Sequence, residues 1–543
     1  MLVADHRADH SRGGFGPALV LLCVGAAMLE GILVGLLAPS SALALAPQVS
    51  APAPIDVFHD LRWVAVYHDS WVSFGGELAG LLVFRTVLDT AIVRLAWPAG
   101  VPRVPLKKAL LSTAGFTAVA VVGLMPWTIV LFGAAVTPIS WLFLVAIPPV
   151  VIMASLNAHG AVNRTWWRQL PPLAPVVWIL ASFVVLSAAA AAIRTSPLAL
   201  GVALVGLTGA WNAWAWSRVV AGVFGVRRAR PAPLVAPLAS LAMVGIALGG
   251  AALGFGGGTA VADRSTPAPA VAPRPVGPAV LVVAGFGTSW NGTTRAPALG
   301  GYSTRWFSYR GASSDGAPLP YGPSDTQESL PSLDQKMATQ VTALSAQTGL
   351  PVRIVAVSEG TLVAKTYVAD TAGAPVDQLV LVSPLVNPGR VYYPVGQVGW
   401  GLASGWGLRL LTDSLPAVST IHVSPTTPLF RSIVSEGPSL RSVLDRPLPG
   451  VRQTTILPLA DAVAGPDDLR GPGPGIVVAA FHSGALTDAG IRTKVSAALD
   501  GRRSASPPWS TTETIVRRAS SAWQVPTLLT SLNPAWSMGQ RPQ

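Results

Sequence analysis

Val352-Arg-Ile-Val-Ala-Val-Ser-Glu-Gly-Thr361 is the stretch on which the reading of this chain turns. Six residues, apolar except for Arg353, run straight into Ser358. Ala356 lies two positions before the serine and Gly360 two positions after it. The pattern predicts a strand that ends in a sharp turn into a helix. The backbone at such a turn is crowded, so only small side chains fit on either side of the serine. Ala-x-Ser-x-Gly says little by itself; the strand in front of it gives it meaning.

Working outward, short apolar runs alternate with helix-like stretches from residue 279 onward. Candidate strands are 279–284, 305–309, 352–357, 379–383, 454–457 and 476–480, and candidate helices are 331–347, 360–371 and 486–499. The first two helices fall between successive strands, as right-handed crossovers require. The expected architecture is a mostly parallel sheet covered by helices.

Two later strand ends complete a constellation. Asp461 follows Thr454-Thr-Ile-Leu-Pro-Leu-Ala460, and His482 follows Ile476-Val-Val-Ala-Ala-Phe481. With Ser358 at its own strand end, the domain resembles the α/β-hydrolase superfamily, in particular its lipases and esterases. The resemblance covers about residues 279–500 of a domain placed at 279–504. It implies the chain order Ser, then Asp or Glu, then His. Ser358 is then the nucleophile and His482 the base that takes its proton. Asp461 holds the imidazole in the correct tautomer, with Asp467 and Asp468 as rivals on the same loop. His422, the domain's other histidine, is read as a lid or surface residue.

The resemblance also implies an oxyanion hole built from backbone N–H groups. One is that of Glu359. The other, from the loop Ala284-Gly-Phe-Gly-Thr288, is that of Phe286. The alternative for this loop is an ordinary glycine-rich strand-end turn. The Glu359 carboxylate must point away from a developing anion. The sequence departs from the family pattern in having Ala356 for the first elbow glycine and no leading antiparallel strands.

Residues 387–450 interrupt the alternation where the family places a cap or lid. Val398-Gly-Trp-Gly-Leu-Ala-Ser-Gly-Trp-Gly-Leu-Arg-Leu-Leu411 fits either a mobile apolar lid facing lipid or a packed cap helix. Segments 302–311 and 320–326 read as loops rimming the site. The tail, 505–543, carries Trp509, Trp523 and Trp536 and is expected to pack on the domain or touch membrane.

The first half of the chain has a different character. Of 543 residues, 51% are hydrophobic and 11% charged. A soluble domain carries about 25% charged residues, which excludes a plain cytosolic enzyme. With Gly 54 and Pro 49, the chain is no coiled coil, and its single cysteine, Cys23, excludes a disulfide framework. Cys23 itself reads as a small buried hydrophobe.

Seven stretches within 1–257 suit membrane spans: 15–37, 71–93, 109–134, 139–156, 173–193, 197–217 and 233–255. Basic residues gather in alternate loops, at Arg7 and Arg12, Arg103 to Lys108, Arg164 and Arg168, and Arg218 to Arg230. The other loops hold little beyond Arg62 and Arg194. The positive-inside rule then puts the N-terminus in the cytoplasm and the hydrolase-like domain outside the plasma membrane. The first span can also be read as a cleaved signal ending near Ala46, which leaves the remaining topology unchanged. Glu77, Arg85 and Asp89 share a face of the second span. They read as a polar site, or as an Arg85–Asp89 ion pair that fixes packing. Trp166-Trp167 reads as an interfacial anchor. Residues 258–278, rich in Pro, form a semi-rigid linker.

The function expected is that of a membrane-anchored extracytoplasmic serine hydrolase. It cleaves carboxylic esters of lipid or envelope-derived acyl substrates through an acyl-enzyme. Acyl transfer by the same triad is one alternative, and a transporter or scaffold with a silent hydrolase domain is another. No metal or cofactor site is expected. The net charge of +12 follows the loop pattern and does not point to nucleic acid.

Overall fold

In hydrocarbon, an apolar stretch of about twenty residues satisfies its backbone only as a helix or within a closed barrel, and the first half of this chain is helical. A computed structural model describes residues 15–37, 40–134, 159–164, 166–224, 277–385, 400–414, 427–444, 446–460, 475–482 and 484–502. It also describes the isolated positions 238, 242, 515, 518, 519, 521–523 and 528. The helices of the first half are α1 (Pro17–Leu37), α2 (Ile55–Val66), α3 (Trp71–Leu95), α4 (Leu106–Ala134), α5 (Leu173–Thr195) and α6 (Leu198–Phe224). Four of them, α1, α4, α5 and α6, are long and apolar enough to cross a membrane. The expected span 71–93 is the helix α3, which carries Glu77, Arg85 and Asp89. The expected spans 139–156 and 233–255 lie outside the described residues.

One expectation is corrected here. Arg62 was placed in an outer loop, yet a 3-10 helix (Ser40–Ser50) and α2 pack among the long helices, and Arg62 is 1% exposed. The burial is tolerated because every charge finds a partner. Arg62 donates to Gln48 Oε1 (2.5 Å) and to the carbonyl of Ala522 (2.7 Å) and lies 2.6 Å from His59 Nδ1. His59 Nε2 meets Glu30 at 2.5 Å. Arg85 keeps the expected i,i+4 pair with Asp89 and adds closer partners. It grips Asp60 by two bonds (2.5 and 2.6 Å) and donates to Val49 O and Asp56, while Asp89 sits 4.0 Å away. A planar guanidinium suits this two-point grip. Glu77 takes no part.

Two aromatic and sulfur readings resolve at the same level. Cys23 is fully buried. Trp166 is a core residue packed edge-on to Phe116, and only Trp167, under the Arg168 guanidinium, is exposed.

The second half holds six parallel strands: β1 (Val280–Val283), β2 (Thr304–Trp306), β3 (Val352–Val357), β4 (Val376–Val382), β5 (Arg452–Ala460) and β6 (Gly475–Phe481). They are ordered β2-β1-β3-β4-β5-β6. Strand residues alternate faces. Leu281, Val283, Ile354, Ala356, Leu379 and Leu381 face one layer, built on α7 (Leu330–Thr348) and α8 (Glu359–Asp370). Val280, Val282, Val355, Val380, Val382 and Ile456 face α12 (Ala489–Leu499) on the other side. Arg353, the polar break in the key strand, lies at the opposite edge from Ser358 and donates to Leu499 O (2.8 Å).

The insertion divides its helices between two partners. These are α9 (Leu402–Ser414), α10 (Pro428–Ser435) and α11 (Gly437–Leu444). α10 and α11 pack on the sheet domain, where Lys365 of α8 donates to Arg446 O (2.7 Å) and Leu330 N–H to Ser432 Oγ (3.0 Å). α9, the Trp- and Gly-rich segment, instead docks on α2, α3 and α4. His68 Nδ1 meets Val64 O at 2.6 Å, and its Nε2 accepts the N–H of Ala403 (2.8 Å). Burial lowers the His68 pKa, in keeping with a neutral ring that can accept there. Ser404 donates to Ala65 O (2.7 Å), and Gly407 lies so close to Ile129 that a Cβ would stand 2.6 Å from its Cδ1. The tail also joins the helical half. Trp523 stacks on Phe183 (4.4 Å between centroids) and donates to Ser187 Oγ (3.0 Å).

Candidate active site

Parallel strands whose connections leave in opposite directions open a crevice at their carboxyl ends. Here β1 is followed by β2 on one side and β3 on the other, so the crevice lies between the ends of β1 and β3. Ser358 stands at the end of β3 and Gly285 just past the end of β1. A Cβ on Gly285 would meet the Ser358 Cβ at 3.0 Å.

Ser358 holds φ 53° and ψ −121°, a left-handed backbone that side chains rarely adopt. Such strain persists only when the surroundings impose it. Two of the constraints are hydrogen bonds: Ser358 N–H donates to Val382 O (3.0 Å), and Thr361 N–H to Ser358 O (3.0 Å). Gly360 is the third. A Cβ there would stand 2.7 Å from the carbonyl oxygen of Ala284 and 2.8 Å from that of Val283. Those carbonyls end β1 and cannot yield without moving the Gly285-Phe286 loop. Gly360→Ala is therefore expected to cost about 1–3 kcal/mol and to shift the serine. Thermal unfolding together with serine-probe labelling of the variant checks it. Ala356 is wholly buried in β3.

His482 Nε2 stands 3.0 Å from Ser358 Oγ. The two residues come from strand ends 124 positions apart in sequence. Imidazole nitrogen at this distance can accept the hydroxyl proton, and that transfer turns a weak nucleophile into an alkoxide-like one. Asp461 lies outside the described residues, as do Asp467, Asp468 and His422. β5, the strand before Asp461, ends at Ala460 on the same carboxyl edge of the sheet.

No family model matches the chain, and no curated protein does. The site is therefore read from its own geometry.

The proposed oxyanion donors sit as follows. Glu359 opens α8, and N–H groups in the first turn of a helix have no partner within it. Phe286 belongs to the loop that passes beside Ser358. That loop is fastened by Gly287 N–H to Thr326 Oγ1 (2.9 Å), Thr288 Oγ1 to Gly285 O (2.7 Å) and the Tyr309 hydroxyl to Ala284 O (2.5 Å). Tyr309 and Thr326 lie in the two segments read as rims, 302–311 and 320–326, but sequence reasoning did not single them out, since their contacts span 25 and 39 residues. Tyr302, at the start of the other rim segment, lies at the far edge with Arg353 and Asp500. Sequence reasoning also missed Ser383, the other non-glycine residue with positive φ (54°) among the described residues, fully buried at the end of β4.

The Glu359 side chain is 2% exposed, and neither carboxyl oxygen has a hydrogen-bond partner among the described residues. Burial pushes its pKa well up and so disfavours the charge that would oppose an anion beside it. The sign for stability follows. The unfolded chain ionises this acid above about pH 4.3, while the folded chain resists. The folded state is therefore favoured below that pH and loses stability as pH rises through the neutral range. Glu359→Gln removes the titration. Its unfolding midpoint is expected to exceed that of the wild type at pH 8 and to converge with it at pH 4. An equal difference at both pH values would refute a buried neutral acid.

Proposed function

We propose that the chain is a membrane-anchored serine hydrolase of the α/β-hydrolase type that cleaves carboxylic esters. The observation that carries this reading is the 3.0 Å approach of His482 Nε2 to Ser358 Oγ at a strained strand-to-helix turn. Ser358 attacks the acyl carbon, and its proton passes to His482. The imidazolium then protonates the leaving alcohol, and water attacks the acyl-enzyme by the same route in reverse. Asp461 is assigned the role of orienting His482. The backbone N–H groups of Glu359 and Phe286 are assigned the carbonyl oxygen.

The membrane part of the proposal is seven spans, with the hydrolase domain outside the cytoplasm. Two features favour that arrangement. α3 is about 37 Å long, at about 1.5 Å per residue over its 25 residues. One end, with His68, carries the docked α9. The other, with Arg94, joins Arg103, Lys107 and Lys108. Basic residues and the sheet domain thus occupy opposite ends of the same helix, as the positive-inside rule asks. Of Glu77, Arg85 and Asp89, which motivate a transporter reading, Arg85 is spent on Asp60 and Asp56 of α2, and this favours anchoring.

The test is labelling of membranes with a fluorophosphonate probe. Wild type is expected to label and Ser358→Ala to stay dark. A folded wild type that fails to label would remove the hydrolase reading.

A further inference from the structure

At the end of α3 remote from the sheet domain, the described residues form a small cleft, partly open to solvent. Three separate pieces of chain bring an arginine to its wall: Arg94 from the end of α3, Arg103 from the connection to α4, and Arg164 from the segment after residue 158. Among the described residues no acidic side chain lines the cleft. Among the described residues none of the three arginines pairs with a carboxylate, and Arg94 makes one bond, to Val104 O (3.1 Å). Ser112 adds a hydroxyl, and Trp97 and Val104 supply apolar wall.

Three like charges around one opening repel each other, and among the described residues no carboxylate at the cleft offsets them. The positive-inside bias alone does not ask for this convergence. Lys107, Lys108 and Arg168 lie in the same loops, meet that bias equally well, and stay off the cleft wall. What does suit the arrangement is a ligand with several negative oxygens, because each guanidinium presents a fork of N–H donors matched to phosphate geometry.

We propose that this cleft binds a phosphate-bearing anion. The site stands at the end of helices suited to a membrane, so an anionic phospholipid headgroup and a soluble phosphate both have access. The proposal is independent of the hydrolase reading.

The experiment uses the full chain in phosphatidylcholine nanodiscs, with and without phosphatidylglycerol, and reads retained lipid by native mass spectrometry and the unfolding midpoint. Arg103→Gln/Arg164→Gln removes two exposed cleft charges. Lys107→Gln/Lys108→Gln removes the same charge outside the cleft and serves as control. Phosphatidylglycerol is expected to be retained by wild type and control and to bind the cleft variant about tenfold more weakly. That result assigns a lipid headgroup. Stabilisation of wild type and control, but not of the cleft variant, by inorganic phosphate in pure phosphatidylcholine assigns a soluble anion. Equal loss in the control, or no response of wild type to either ligand, overturns the proposal.

Discussion

Ser358→Ala is expected to lower ester turnover by about 10⁴–10⁶-fold, and His482→Ala by a similar factor. The size follows from the geometry. Without Nε2 at 3.0 Å, the hydroxyl stays protonated at neutral pH; without Oγ, the base has nothing to activate. Because the two act as a unit, the double variant should be little worse than either single one. A p-nitrophenyl ester series on purified protein provides the measurement. Losses that multiply in the double variant would mean that the two residues act separately, and the proposed unit would fail.

Arg85→Ala is expected to destabilise the helical half by about 3–5 kcal/mol. The guanidinium is fully buried and holds Asp60 by two bonds, with Asp56 at 3.3 Å and Asp89 at 4.0 Å. Removing it leaves three carboxylates facing one another without a cation. Arg85→Lys should recover only part of the loss, because an ammonium cannot make the two-point contact with Asp60. Thermal unfolding in detergent reads both. A full rescue by Lys would show that charge alone matters, and a loss below about 1 kcal/mol would mean that the cluster is solvated.

The sheet was legible because a parallel strand buried on both faces reads as a short apolar run. The runs near 280, 352 and 476 fell within a residue or two of β1, β3 and β6. The start of β4 escaped because Asp377 and Gln378 break the apolar pattern. Both lie in the strand with partners elsewhere: Asp377 pairs with Arg452 and Gln378 reaches Ala498 O. The elbow was legible because its small residues and its serine are contiguous, 356 to 360, although the carbonyls that crowd Gly360 belong to the end of β1. The fastenings of the 284–288 loop were not, since Thr326 and Tyr309 meet it only in three dimensions. Segment 40–66 was misread for the same reason. Asp56, His59 and Arg62 look solvent-facing until Glu30, Arg85 and Ala522 are brought to them. The docking of α9 was equally hidden: Gly407 signals close approach but does not name Ile129.

The seat of α9 between His68 and Ile129, and of Trp523 on Phe183, bears on how the two halves can be separated. A protease that nicked the chain anywhere between residues 257 and 277 would cut only one of three physical connections. The fragment beginning near residue 279 would stay attached through its own insertion and its own tail. Shedding of the sheet domain therefore requires unfolding part of it. Expression of that fragment alone would expose the face of α9 and the Trp523 ring to water, with a corresponding tendency to aggregate.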